Sequence, residues 1–303
     1  MKKKFQEQLL ESFGVPQREA WNIAATAEVN GNEPINHLQW KYLDRIAFKP
    51  YYNSDDTAAL SWMSTFITPA KASFLGNRAW LNQPVEIVST EIKSNERALD
   101  HLANGADGIL FHIQGSPDPR KLLRDIQTQY CVLSFRGDFS DEWLLSLIAF
   151  ARSQPDDFNG ILFWDTPPVM RKLISGVSTL GSFQPFGITV PPSTPLDEIT
   201  CALLAGTKIL ESSLNLAIEK PASKIAFSFP LDGNFLIGVT KLKAFRMLWY
   251  QVLRAFDISD HEPDDTHIHA RSETMTEKTF EPRGQLLKNT CSAMSAIEVG
   301  CCA

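Results

Sequence analysis

Along residues 224–256, KIAFSFPLDGNFLIGVTKLKAFRMLWYQVLRAF, the apolar positions change period. Ile225, Phe227 and Phe229 alternate, as a half-buried strand requires. Asp232-Gly233-Asn234 then reads as a turn. Beyond it, Leu242, Phe245, Trp249, Val252 and Phe256 recur at helical spacing and make one apolar stripe. Lys243, Arg246, Tyr250 and Arg254 fall on the opposite face. The segment predicts a strand, a turn and a long amphipathic helix.

The same unit recurs upstream and once downstream. Apolar runs stand at Val85–Ser89, Gly108–Ile113, Cys131–Arg136, Gly160–Trp164, Gly187–Val190, Ile225–Phe229 and, more weakly, His267–Ala270. Helical spacing marks Asn95–Leu102, Pro119–Gln129, Asp141–Arg152, Pro168–Leu180, Leu196–Ile218, Ile237–Phe256 and Gly284–Glu298. Strands alternating with helices argue for a parallel sheet with helical crossovers. The expected fold is therefore α/β, a TIM-like (β/α)8 barrel over residues 81–303, with its first strand near residue 85. Seven units are counted where closure needs eight strands. Either a strand upstream is missed, or the chain is a fragment truncated before the eighth strand, and the fragment is favoured.

Residues 1–80 read differently. Phe5, Leu9, Leu10 and Phe13 suit a short surface helix, and Arg18–Val29 a second one. Leu38–Asp56 carries Pro50 and Asn53-Ser54-Asp55-Asp56, which make it extended and turning. The expectation is an N-terminal extended arm that lies along a barrel or a partner.

Composition narrows the function classes. The 303 residues carry a formal net charge of -6 and 44% hydrophobic residues. With no dominant basic face, nucleic acid and membrane are excluded as expected partners. The basic start MKKK is followed by no uninterrupted apolar core, so it reads as neither signal peptide nor anchor. Cys131, Cys201, Cys291, Cys301 and Cys302 are odd in number and lack metal-ligand spacing, which suits reduced thiols in a cytoplasmic protein. There is no Gly-x-Ser-x-Gly, P-loop or dinucleotide fingerprint.

Several strings resemble the methylmalonyl-CoA mutase family, small (beta) subunit type. Asn234-Phe235-Leu236 through Lys241-Leu242-Lys243-Ala244-Phe245-Arg246 and Leu248-Trp249 is similar to the family's Phe-Phe-x-x-(Ile/Val)-Ala-Lys-Phe-Arg-Ala and Leu-Trp run. Weaker likenesses lie at Pro50-Tyr51-Tyr52 with Asp55-Asp56, at Asn104–Ile109, at Leu196–Ala205 and at Leu287–Thr290 with Ala293 and Ala296. The resemblance implies a heterodimeric complex whose large subunit binds adenosylcobalamin and interconverts methylmalonyl-CoA and succinyl-CoA. A CoA ester is a further ligand it admits.

Departures from the family pattern decide the expected role. Ser73–Arg78 offers no Tyr where the resemblance implies an active-site Tyr, and Ile188–Pro192 offers no His where it implies one that polarises a thioester carbonyl. The string Asp100-His101-Leu102-Ala103-Asn104-Gly105 misses the cobalamin motif Asp-x-His-x-x-Gly by one position on each side. The resemblance thus implies a non-catalytic chain with no cofactor of its own, partnered by the mutase large subunit. The alternative is a stand-alone barrel enzyme using Arg136 and Asp165, which sit at strand C-terminal ends where barrels place their chemistry. Capping and pairing with loop charges compete for those two residues. His267 and His269 share a strand face but lack a third metal ligand, which leaves His269 as a pocket candidate. His112 reads as a core or rim histidine.

Overall fold

The computed structural model describes residues 18–30, 33–43, 46–58, 80–154, 158–166, 176–177, 180, 183–215, 218–272 and 282–301. The chain forms two compact units, Met1–Thr65 and Phe66–Ala303.

The first unit contains helix α1 (Arg18–Glu28), the short helix α2 (Pro34–His37), strands β1 (Trp40–Tyr42) and β2 (Ile46–Phe48), and the short helix α3 (Ser54–Thr57). The segment expected to be extended and turning is an antiparallel hairpin, Trp40 opposite Phe48. Asp56 accepts from the Asn53 backbone N–H and pairs with Arg18 and Lys49, which lowers its pKa to about 2. Trp21 stacks on Tyr51 with centroids 5.0 Å apart. The surface helix expected at Phe5–Phe13 lies outside the described residues.

The second unit carries strands β3 (Val85–Ile87), β4 (Gly108–His112), β5 (Val132–Gly137), β6 (Ile161–Trp164), β7 (Gln184–Thr189), β8 (Ile225–Leu231) and β9 (His267–Ser272). They form one sheet in sequential order, and every pair is parallel. Helices α4 (Glu91–Ala103), α5 (Pro119–Leu122), α6 (Asp141–Ser153), α7 (Pro195–Asn215), α8 (Phe235–Ala255) and α9 (Pro282–Glu298) follow strands in turn. This is the expected α/β alternation, with seven strands among the described residues.

The sheet is curled. The rings of Phe163 on β6 and His269 on β9 are 5.0 Å apart, although two strands lie between them. In a flat sheet that separation would be about 14 Å. Leu110, Ile161, Phe163 and Ala226 cluster on the concave face from β4, β6 and β8. Contributions from alternate strands are how a barrel interior fills. Gly187 of β7 leaves room for this crossing, since a Cβ there would stand 2.6 Å from Phe163.

Burial corrects two expectations. Strand β8 is buried at all seven positions rather than on one face. Ile225, Phe227 and Phe229 enter the convex core, while Ala226 and Ser228 turn inward. The helix expected over Pro119–Gln129 ends at Leu122, because the Asn95 amide takes the carbonyls of Leu122 and Arg124 and Asp125 adopts a φ of 63°. The helix expected over Pro168–Leu180 lies mostly outside the described residues.

Helix α8 ties the convex layer together. Phe245 meets Phe227 and Phe229 edge-on at 4.6 and 4.7 Å, and Trp249 meets Phe227 at 5.0 Å. Lys241 Nζ donates to Glu198 Oε2 of α7 at 2.5 Å and to the Pro230 carbonyl at 2.6 Å. Arg246, expected on the polar face, is 1% exposed. Its Nη1 donates to the carbonyls of Pro263 and Thr266 at 2.9 and 2.7 Å, and its Nη2 to Gly300 at 2.8 Å. Four residues from Leu242 and three from Trp249, Arg246 edges the same buried face rather than the opposite one, and its donors are met there by backbone carbonyls.

The contact between α7 and α8 generates a test. Gly to Ala inside a helix ordinarily stabilises by up to about 1 kcal/mol. At Gly206 a Cβ would stand 2.8 Å from Trp249 and 2.9 Å from Phe227. Gly206→Ala is therefore expected to destabilise the chain by about 1–3 kcal/mol. A urea melt showing equal or greater stability would contradict this packing.

Candidate functional site

The polar groups on the concave face gather at the C-terminal ends of the strands. Arg136 stands on β5 two residues beyond Ser134, and its Nε donates to Asp165 Oδ1 at 2.8 Å. Asp165 follows β6, with its backbone N–H 3.3 Å from the Gly137 carbonyl. His112, at the end of β4, holds Nε2 3.7 Å from Asp165 Oδ2. The three side chains are 28–32% exposed and open to solvent. Arg136 and Asp165, named as strand-end candidates against a competing reading of helix capping or pairing with loop charges, pair with each other. His112 is at the rim.

Strand β9 supplies the opposite side. His267, His269 and Arg271 alternate with Ile268 and Ala270, which pack into or against the convex core. His269 Nδ1 is 2.7 Å from Ser228 Oγ, and its ring lies on Phe163. Asp165 stands two residues beyond Phe163, and Arg271 two beyond His269, on strands running the same way. The ring contact therefore brings the carboxylate and the second guanidinium together above it. Arg271 Nη2 donates to the Val190 carbonyl. Burial, then the Arg136 charge, lowers the Arg271 pKa to about 10, while Asp165 and Glu198 act to raise it. Burial with the nearby cations Arg271 and Arg136 and the His267 ring lowers His269 to about 3. Burial and Arg246 lower His267 to about 4. Both imidazoles are neutral at pH 7.

Among the described residues no group of three His, Cys, Asp or Glu could hold a metal. Burial lifts the Cys131 thiol to about 11, which leaves it unreactive. No described helix is long and apolar enough to cross a membrane. Sequence reading missed Arg271, Ser228 and the Lys241–Glu198 pair. The alternation that put His267 and His269 on one face already carried the signal for Arg271, since the next position on that face is 271.

The residues behind the resemblance have structural duties. Asn234 caps α8 by accepting from Ile237 N–H at 3.2 Å. Lys241, Phe245, Arg246 and Trp249 form the buried side of that helix. In the stretch searched for an imidazole, Ile188 and Val190 pack into the convex core and Thr189 lies between them with its hydroxyl buried and unpartnered. Ser73–Arg78 lies outside the described residues. Asp100-His101 sits in the last turns of α4, where the His101 carbonyl accepts from Asn104 and Ala106 N–H at the helix end.

The neutral imidazoles predict a pH response. A folded pKa below the unfolded 6.5 means the unfolded chain binds more protons through the intervening window. Stability is thus complete above pH 6.5 and falls as pH drops toward 4, by at most about 1.4 kcal/mol per pH unit for each imidazole. Urea midpoints between pH 7 and 4.5 should fall, and a His267→Gln/His269→Gln chain should show a flatter dependence. Equal slopes in parent and variant would refute the two neutral rings.

Residues 191–302 match the family model described as methylmalonyl-CoA mutase. The chain is 24% identical to the methylmalonyl-CoA mutase small subunit of Porphyromonas gingivalis, over 98% of this chain and 54% of that protein. It is 20% identical to a methylmalonyl-CoA mutase of Cereibacter sphaeroides, over 92% of this chain and 48% of that protein. The chain spans about half the length of these curated relatives. The matched stretch begins just after β7 and takes in the capped start of α8, the Lys241–Glu198 pair and the Arg246 cage. Residues 191–302 are thus similar to the methylmalonyl-CoA mutase family, and the chain as a whole is similar at low identity to a small subunit of that name.

Proposed function

We propose that this chain is a non-catalytic small subunit of a heterodimeric adenosylcobalamin-dependent methylmalonyl-CoA mutase. The large subunit carries the interconversion of methylmalonyl-CoA and succinyl-CoA, in the cytoplasm, and this chain contributes assembly and stability. The observation that carries the reading is the match to a small subunit over 98% of this chain. The concave face supports it, because Arg136, Asp165, His112, Arg271 and a neutral, Ser228-bound His269 occupy the strand ends. The solvent-open imidazole of that set, His112, faces Asp165 at 3.7 Å, and the set contains no Tyr.

The residues present do not fit adenosylcobalamin. His101 has the wrong spacing and belongs to the end of an ordinary helix. The cofactor is assigned to the large subunit, and no step is routed through this chain. A CoA ester remains a candidate ligand of the complex. The second reading, a stand-alone barrel enzyme, rests on the Arg136–Asp165–His112 group at the strand ends.

The purified chain, supplied with adenosylcobalamin and methylmalonyl-CoA, is expected to form no succinyl-CoA, and a large mutase subunit from the same host should co-purify with it. Turnover by this chain alone would overturn the subunit reading. The N-terminal unit is proposed to contribute to the interface, since Ile23, Trp40 and Tyr52 are 73%, 54% and 52% exposed. Deleting residues 1–36 should weaken large-subunit binding by at least about tenfold, or ~1.4 kcal/mol, with the barrel still folded. Undiminished capture of the partner by the truncated chain would remove residues 1–36 from the interface.

A further inference from the structure

The concave mouth holds more positive charge than its own carboxylate balances. Arg136 is bound to Asp165, and Arg271, two residues beyond His269 on a strand parallel to the one that ends in Asp165, is brought toward the same carboxylate by the Phe163–His269 ring contact. Glu198, the other acid acting on Arg271, is already paired with Lys241. His269 below is neutral and committed to Ser228. Two guanidiniums therefore share one carboxylate on a partly desolvated, concave surface.

The guanidiniums also have donors to spare. Each carries five N–H groups. Arg136 donates to Asp165, and Arg271 to the Val190 carbonyl. Unlike the Arg246 cage, which closes around its guanidinium at 1% exposure, this pair is within reach of water. The floor beneath is apolar, made of Phe163 and Leu110. Planar guanidinium forks over such a floor match the oxygens of a carboxylate or phosphate, and the low local polarity strengthens the contact.

We propose that Arg136 and Arg271 form a binding site for a small dianion bearing carboxylate or phosphate oxygens, at the C-terminal mouth of the sheet. The anion bridges the two guanidiniums beside Asp165, and His112 borders it at the rim. The site uses this chain's own groups and does not depend on the subunit reading. It gives the chain a ligand without giving it a reaction.

The test is a thermal melt of the whole chain titrated with inorganic phosphate, succinate or acetate at ionic strength held constant with sodium chloride. A saturable rise in the midpoint with phosphate or succinate, and a weaker one with acetate, is expected. Whichever dianion saturates at the lower concentration identifies the headgroup. Arg136→Gln and Arg271→Gln should each weaken the apparent affinity by at least about tenfold. Arg124→Gln, far out on the surface at 75% side-chain exposure, should leave it unchanged. Near-ultraviolet circular dichroism checks that each variant is folded. Should Arg271→Gln fail to fold, the one-third exposed Arg136→Gln decides alone. No saturable rise in the parent, or equal affinity in Arg136→Gln, would overturn the proposal.

Discussion

A guanidinium closed inside backbone carbonyls holds the last third of this fold in place. Arg246 belongs to α8, while its acceptors belong to the 263–266 turn that leads into β9 and to Gly300 beyond α9. One side chain thus fixes the entry to the last described strand and the residue that follows the last described helix. No carboxylate pairs with it by a salt bridge among the described residues, so its charge is met by oriented carbonyls, and its Nε is left without a partner. A buried charge satisfied this way is unforgiving, because removing it strands several carbonyls at once. The Lys241–Glu198 pair one turn earlier does the same for α7 and the end of β8.

The fold was largely readable from period alone. Runs of alternating or continuous apolar residues separated by helical patterns gave seven strands in their correct order, because parallel strands buried on both faces must be apolar and must be separated by crossovers. Reading failed where a charged residue borders the apolar stripe. Arg246, expected on the polar face, is among the most buried side chains, because it neighbours Leu242 and Trp249 on the buried face and finds carbonyl acceptors there. The overlong α5 failed for a tertiary reason, the capture of its carbonyls by Asn95 from α4.

The candidate site was readable in part. Arg136, Asp165 and His269 could be named because strand ends and alternating polar residues mark a concave face. Their mutual contacts could not, since these depend on curl. Phe163 reaches His269 only because the sheet bends and because Gly187 and Ala226 leave space between them. The same curl sets Arg271 beside the Arg136–Asp165 pair. The family-like residues of 234–249 cap, pack and lock the helix, which is why they were recognisable.

The most direct measurement of this account is native-state hydrogen exchange on the parent chain and on Arg246→Met. The methionine fills similar volume but donates to no carbonyl. If the guanidinium couples these segments, amides of β9 and of residues 299–301 exchange in the parent only with the most protected amides of β8, and in the variant they exchange separately and faster. Unchanged, still-coupled exchange of those amides in the variant would contradict it.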